Sequence, residues 1–242
     1  MRRAPGTVAA SCDFHGRLMR DGQYAPPGGL AVRDCALVAI ATGRRARNLQ
    51  ELRSGVAESS LACIYYHFWG GLLRPTFDDP RYHNGFAVWV YHALHNQALA
   101  ERLSVIDPKD YPDTGDLRTH LLQVIDSELE ASGDGAEAPS DVLFDFVRSQ
   151  IVVFSTSRSV DEPSELADAL ENMTRTSVFY HFIDARRRTP DAVDDFTTWL
   201  NDIDRDRFAG LTGHLAGIDP YFVTLAETRD ELSRTFRDFF RK

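Results

Sequence analysis

The feature that most constrains the fold is that the chain reads as one unit written twice. Ala36-Leu37-Val38-Ala39-Ile40-Ala41-Thr42 resembles Ile151-Val152-Val153-Phe154-Ser155-Thr156. In the same ungapped register, Glu51-Leu52 matches Glu165-Leu166, and Ile64-Tyr65-Tyr66-His67-Phe68 matches Val178-Phe179-Tyr180-His181-Phe182. After a shorter spacer in the second copy, Phe86-x-x-Trp89 matches Phe196-x-x-Trp199. Leu99-x-x-x-Leu103-x-x-Ile106-Asp107-Pro108 then matches Leu211-x-x-x-Leu215-x-x-Ile218-Asp219-Pro220. Self-similarity in constant order and near-constant spacing is the signature of a duplicated structural unit, here of about a hundred residues.

The repeat sets the expected organisation. Residues 1–31 match nothing in the second copy and read as an N-terminal extension. Residues 32–130 form the first unit, 131–141 a small, polar, Gly/Pro-bearing linker, and 142–242 the second unit. Within each unit we expect one short strand, at 36–42 and 150–156, although a buried helix has the same pattern at this length. About five helices follow. Asn48, Ser59 or Ser60, Thr174, Asn84 and Asp194 are placed as helix caps, and Pro163 suits a first helical position. Asp-Pro closes the fifth helix, and a last amphipathic helix lies near 114–130 and 222–241. The fold class is therefore mainly α with a minor β element. A lone strand leaves its backbone unpaired, so the two strands are expected to pair about a pseudo-twofold axis and to hold both units in one globule.

Thr42-Gly43-Arg44-Arg45-Ala46, Ile64-Tyr-Tyr-His-Phe-Trp69, Phe77-Asp-Asp-Pro80, Phe86-x-x-Trp89 and Ile106-Asp-Pro108, with Phe179-Tyr-His-Phe-Ile-Asp-Ala-Arg-Arg-Arg-Thr-Pro190, occur together. In this combination the chain resembles an uncharacterised prokaryotic family, a domain of unknown function, over about residues 32–242. The resemblance implies no activity and carries over no catalytic residue.

Composition narrows the partners. With 27 basic against 36 acidic residues the chain is acidic, at a formal charge of -9. Binding along a phosphate backbone rests on Lys and Arg, so nucleic acid is not expected. No apolar run reaches the roughly 18 residues of a membrane span, and none of signal length follows Arg2 and Arg3. Cys12, Cys35 and Cys63 form no C-x-x-C pair. A cytoplasmic protein without a cofactor is expected.

Four groups of residues could carry chemistry. His67 and His181 recur in both copies and would meet if the twofold axis passed between them, as a ligand-binding or metal-binding pair. Each could equally be a buried ring hydrogen-bonded to a carbonyl or to Asp107 or Asp219. Cys63 before His67, and Ser177 before His181, stand at helical i, i+4 spacing, as a nucleophile beside its base would. His92-x-x-His95, with His67 or Glu101, is a conceivable metal site. Arg44, Arg45 and Arg47 lie just before a helix start at Asn48, where an anion would be welcome. Arg186-Arg187-Arg188 lies at a helix C-terminus. Both arginine runs could instead serve ion pairs with the abundant acids. The recurring aromatics are expected to be core. The leading expectation is a non-catalytic binding or regulatory module for a small anionic ligand or a protein partner, with a homodimer among the expected assemblies. The alternative is a metal-dependent enzyme built on His67, His92 and His95.

Overall fold

The computed structural model describes residues 28–73, 82–132, 137–139, 141–189 and 191–241. The fold is mainly α with one two-stranded antiparallel sheet. The first half holds β1 (Leu30–Ala46), α1 (Leu49–Glu58), α2 (Leu61–Trp69), α3 (Gly85–Ala93), α4 (Gln97–Ser104) and α5 (Thr114–Ser132). The second half holds β2 (Phe144–Val160), α6 (Leu166–Glu171) and a continuous helical stretch, α7 (Arg175–Val178) through a π-type segment (Phe179–Asp184) into α8 (Ala185–Arg188). It ends with α9 (Asp195–Gly217) and α10 (Leu225–Phe240). The Phe77-Asp-Asp-Pro80 motif, Cys12, most of the extension, and residues 133–136 and 140 of the linker lie outside the described residues.

The apolar segments are strands, and they pair with each other. Leu37 lies directly opposite Ile151. The strands run well past the apolar stretches, to 30–46 and 144–160, because backbone pairing once begun is indifferent to polar side chains. Arg33 faces Ser155 and Arg45 faces Asp145. The ribbon is irregular between Val32 and Arg33 and between Ala41 and Arg45. At one irregularity Gly43 has φ +78° and the Thr42 hydroxyl donates to the Phe146 carbonyl at 2.6 Å. At the other Ser157 has φ +57° and the Thr156 hydroxyl donates to the Val32 carbonyl, also at 2.6 Å. Each threonine thereby satisfies a carbonyl that the ladder releases.

Caps set the helix starts. Asn48 accepts from the Glu51 amide at 2.9 Å, Asn84 from Ala87 at 2.9 Å, Thr174 from Ser177 at 2.9 Å and Asp194 from Thr197 at 2.8 Å. The second half departs from the first in two places. The expected fourth and fifth helices merge into α9, bent at Asp204, whose φ and ψ of -164° and 96° are extended. The Tyr-His-Phe helix contains the π-type segment in the second half and none in the first.

The core crosses between the halves. Phe144 and Phe146 of β2 are buried, and the Phe144 ring lies 5.3 Å from Phe86 and 5.5 Å from Trp89. Tyr221 of the second half lies 5.1 Å from Trp69 of the first. The Trp89 indole donates to the Val142 carbonyl at 2.7 Å, and the Trp199 indole donates to the Gly28 carbonyl at 2.8 Å. Each buried aromatic of this kind stabilises the fold by about 1.5–3 kcal/mol, so the halves hold each other through large terms. Among the described residues no helix is long and apolar enough to cross a membrane.

Candidate functional site

The two recurring histidines do not meet. His67 Nε2 accepts the Val147 amide of β2 at 3.3 Å, and His181 Nε2 accepts the Arg33 amide of β1 at 2.8 Å. Val147 faces Ala41 in the ladder, eight positions along β1 from Arg33, or about 26 Å at 3.3 Å per residue. The expectation of an imidazole pair on the axis is therefore corrected. Each Nε2 takes a strand amide of the other half rather than a carbonyl, Asp107 or Asp219, while an acid partner of the expected kind is present at one of the two rings. His181 Nδ1 does reach an acid, Asp195 Oδ2 at 2.8 Å. Burial drives the His67 imidazole pKa down to about 3, so the ring is neutral and, with Nε2 accepting, carries its proton on Nδ1.

Neither Ser177 nor Cys63 is set up as a nucleophile by the histidine four residues on. The Ser177 hydroxyl donates to the Arg33 carbonyl, not to His181. Ser177 and His181 thus grip the two backbone groups of one strand residue. Cys63 is buried, and that burial raises its thiol pKa, the reverse of activation. Burial likewise takes Cys35 up to about 12, and its Sγ lies 3.3 Å from the Thr176 carbonyl.

His92 and His95 do not share a helical face. Helix α3 ends at Ala93 and His95 has φ +53°, while His67 sits on α2. Among the described residues no three His, Cys, Asp or Glu side chains are grouped to hold a metal ion. The arginines before α1 are engaged by acids. Arg44 pairs with Glu58, Arg45 with Asp145 at 2.7 Å and Arg47 with Glu51 at 3.3 Å. Asn48 caps the helix, so the start of α1 is served by the chain's own oxygens.

The second arginine run is arranged differently. Asp184 is 1% exposed and takes both Arg187 at 2.8 Å and Arg188 at 3.1 Å. It also accepts the Tyr65 hydroxyl from the first half at 3.0 Å. Arg188 continues to Asp195 at 2.9 Å and lies 4.0 Å from the Tyr180 ring centroid. Arg186 has no ion pair within 4 Å among the described residues. Its guanidinium lies 4.8 Å from the Phe182 ring centroid. Burial lowers its pKa, opposed at longer range by Asp194, Asp219 and Asp107.

Arg186 opens into a cleft of about 930 Å³ between the halves. Tyr65 and Trp69 of α2 form one wall, and Lys109 and the start of α5 lie across from them. Lys109 joins the two Ile-Asp-Pro segments through Asp219 at 3.2 Å. Burial raises the Asp107 pKa, and the Asp219 and Asp110 charges add to it. Asp184, Asp195 and Lys109 escaped sequence reasoning. The local signal for Asp184 is its i, i+3 and i, i+4 spacing to Arg187 and Arg188.

A second pocket of about 630 Å³ lies beside α3. Tyr66, His67, His83, Gly85, Arg175 and Phe222 are on its walls.

Comparison with known proteins places the chain. No curated protein matches it. Among solved structures it is similar to OrfY from Thermoproteus tenax, with a TM-score of 0.76 and 27% identity, covering 88% of this chain and 96% of that one. A model for a family of unknown function, DUF5752, matches residues 28–237. With nearly the whole described chain inside that match, the protein belongs to this family of unknown function.

Proposed function

We propose that the protein is a non-catalytic binding module whose inter-half cleft takes a small anionic ligand. In this reading the halves, 32–130 and 142–242, are copies of one unit about a pseudo-twofold axis, joined by 131–141. Support for the duplication comes from paired contacts. Leu37 and Ile151 align in the repeat and stand opposite each other. Thr42 and Thr156, Trp89 and Trp199, and His67 and His181 align too, and each pair makes matching contacts with the opposite strand or the residues just before it.

The observation that carries the ligand is Arg186. Its neighbours Arg187 and Arg188 are paired to Asp184, whereas Arg186 is half-buried at the cleft without an ion pair among the described residues. A desolvated guanidinium is a strong, oriented donor to phosphate or carboxylate. The aromatic wall offers a face for a ring, and the long α5 starts beside it.

Thermal denaturation with inorganic phosphate and glucose 6-phosphate tests this. Binding raises the melting temperature with ligand concentration, and Arg186→Gln should abolish the rise. A flat response, or an equal rise in the variant, would remove the reading.

A further inference from the structure

The pocket beside α3 carries an inference independent of the cleft. Alignment of Phe86-x-x-Trp89 with Phe196-x-x-Trp199 sets Gly85 against Asp195. Both histidines spend Nε2 on a strand amide, which leaves Nδ1–H to donate in a neutral ring. At His181 the acceptor is Asp195 Oδ2 at 2.8 Å, an oxygen that Arg188 also holds at 2.9 Å. At His67 the residue in that place is glycine, and no described residue accepts from Nδ1. A Cβ built on Gly85 would lie 2.8 Å from Nδ1, so the nitrogen looks out over the glycine. His67 and Gly85 both line the 630 Å³ pocket. A half-buried N–H donor without an acceptor among the described residues is available to a ligand, and here it stands beside the pocket that His67 and Gly85 line.

We propose that this pocket binds a small molecule bearing a carboxylate on an apolar body, one carboxylate oxygen accepting from His67 Nδ1 in the place Asp195 fills beside His181. Arg175 on the wall has no ion pair among the described residues and supplies the charge that Arg188 supplies in the other half. Among the described residues the one acid on the wall, Glu227, is turned to its own helix start, where Oε2 accepts the Thr224 amide and hydroxyl at 2.8 Å each. Tyr66, Leu72 and Phe222 provide the apolar surround.

Benzoate is the probe, with benzyl alcohol as its uncharged counterpart, and imidazole NMR of the full chain is the readout. Benzoate should move the His67 Nδ1–H resonance downfield saturably and raise the melting temperature, and benzyl alcohol should do neither. Gly85→Ala should abolish the response by placing a methyl against Nδ1. Arg175→Gln, on an exposed position, should weaken benzoate roughly tenfold, the size of one charge-assisted contact, and keeps the test open should Gly85→Ala fail to fold. An unmoved His67 resonance overturns the proposal, as does an unchanged benzoate affinity in both variants. A resonance already downfield without ligand, and returned upfield by Asp78→Asn or Asp79→Asn, overturns it too, because the chain's own carboxylate would then be the acceptor.

Discussion

His67 accepts the backbone amide of Val147 across 80 positions of the chain, so a side chain of the first half completes the ladder of a strand in the second. Because the ring is half-buried and held neutral, that contact is sensitive to acid.

The folded pKa of His67, about 3, lies below the roughly 6.5 of a histidine in an unfolded chain. Between those values the unfolded state holds a proton that the folded state refuses. Stability therefore falls as pH drops from about 6.5 towards 3, with a limiting slope of about 1.4 kcal/mol per pH unit. Going from pH 7 to pH 5, His67→Gln should lose about 2 kcal/mol less stability than the unaltered chain. Urea denaturation at the two pH values measures it, and equal losses would contradict the assignment.

Gly55 on α1 is required by a close approach. A Cβ there would lie 2.1 Å from Cζ of Phe146, itself 1% exposed and central to the inter-half core. Neither a fixed helix nor a buried ring can yield cheaply. Gly55→Ala should cost about 3 kcal/mol by overpacking, although alanine is the better helix former. A variant as stable as the parent would show that α1 and β2 slide freely.

Gly43 and Ser157 occupy the two ribbon irregularities with φ of +78° and +57°. Only the first has the residue suited to that region. Ser157→Gly should raise stability by about 0.5 kcal/mol, the relief of left-handed strain less the added freedom of the unfolded chain. Gly43→Ala should lower stability by about 1 kcal/mol. Paired denaturant midpoints decide both signs.

What was legible in the sequence is what is local. Asn48, Asn84, Thr174 and Asp194 cap helices where their spacing put them, because a cap and its amide lie within three residues. The core of each strand could be read, but not its ends, since Arg33 and Asp145 are in strands only by virtue of residues a hundred or more positions away. The π-type segment and the bend at Asp204 carry no pattern of their own. The histidines stood out by recurring, yet their strand-amide partners are remote, and only contact reveals that Gly85 leaves open the place Asp195 fills. The arginines before α1 illustrate a different gap: Glu58 and Glu51 lie nearby on the same helix, but Asp145 does not.

The exchange of strands and side chains between the halves has a consequence for synthesis. When β1 leaves the ribosome, its partner is still about a hundred residues from being made. At roughly 5–20 residues per second the delay is about 5–20 s. Throughout it both edges of β1, with Val38 and Ile40, await a partner, a state open to pairing with other nascent chains. Helices α1 to α5 can form locally in that interval, but the aromatic surface that Phe144 and Phe146 will cover cannot close. Slowing elongation before residue 144 should therefore lower the soluble yield of this protein more than the same pause placed after residue 160.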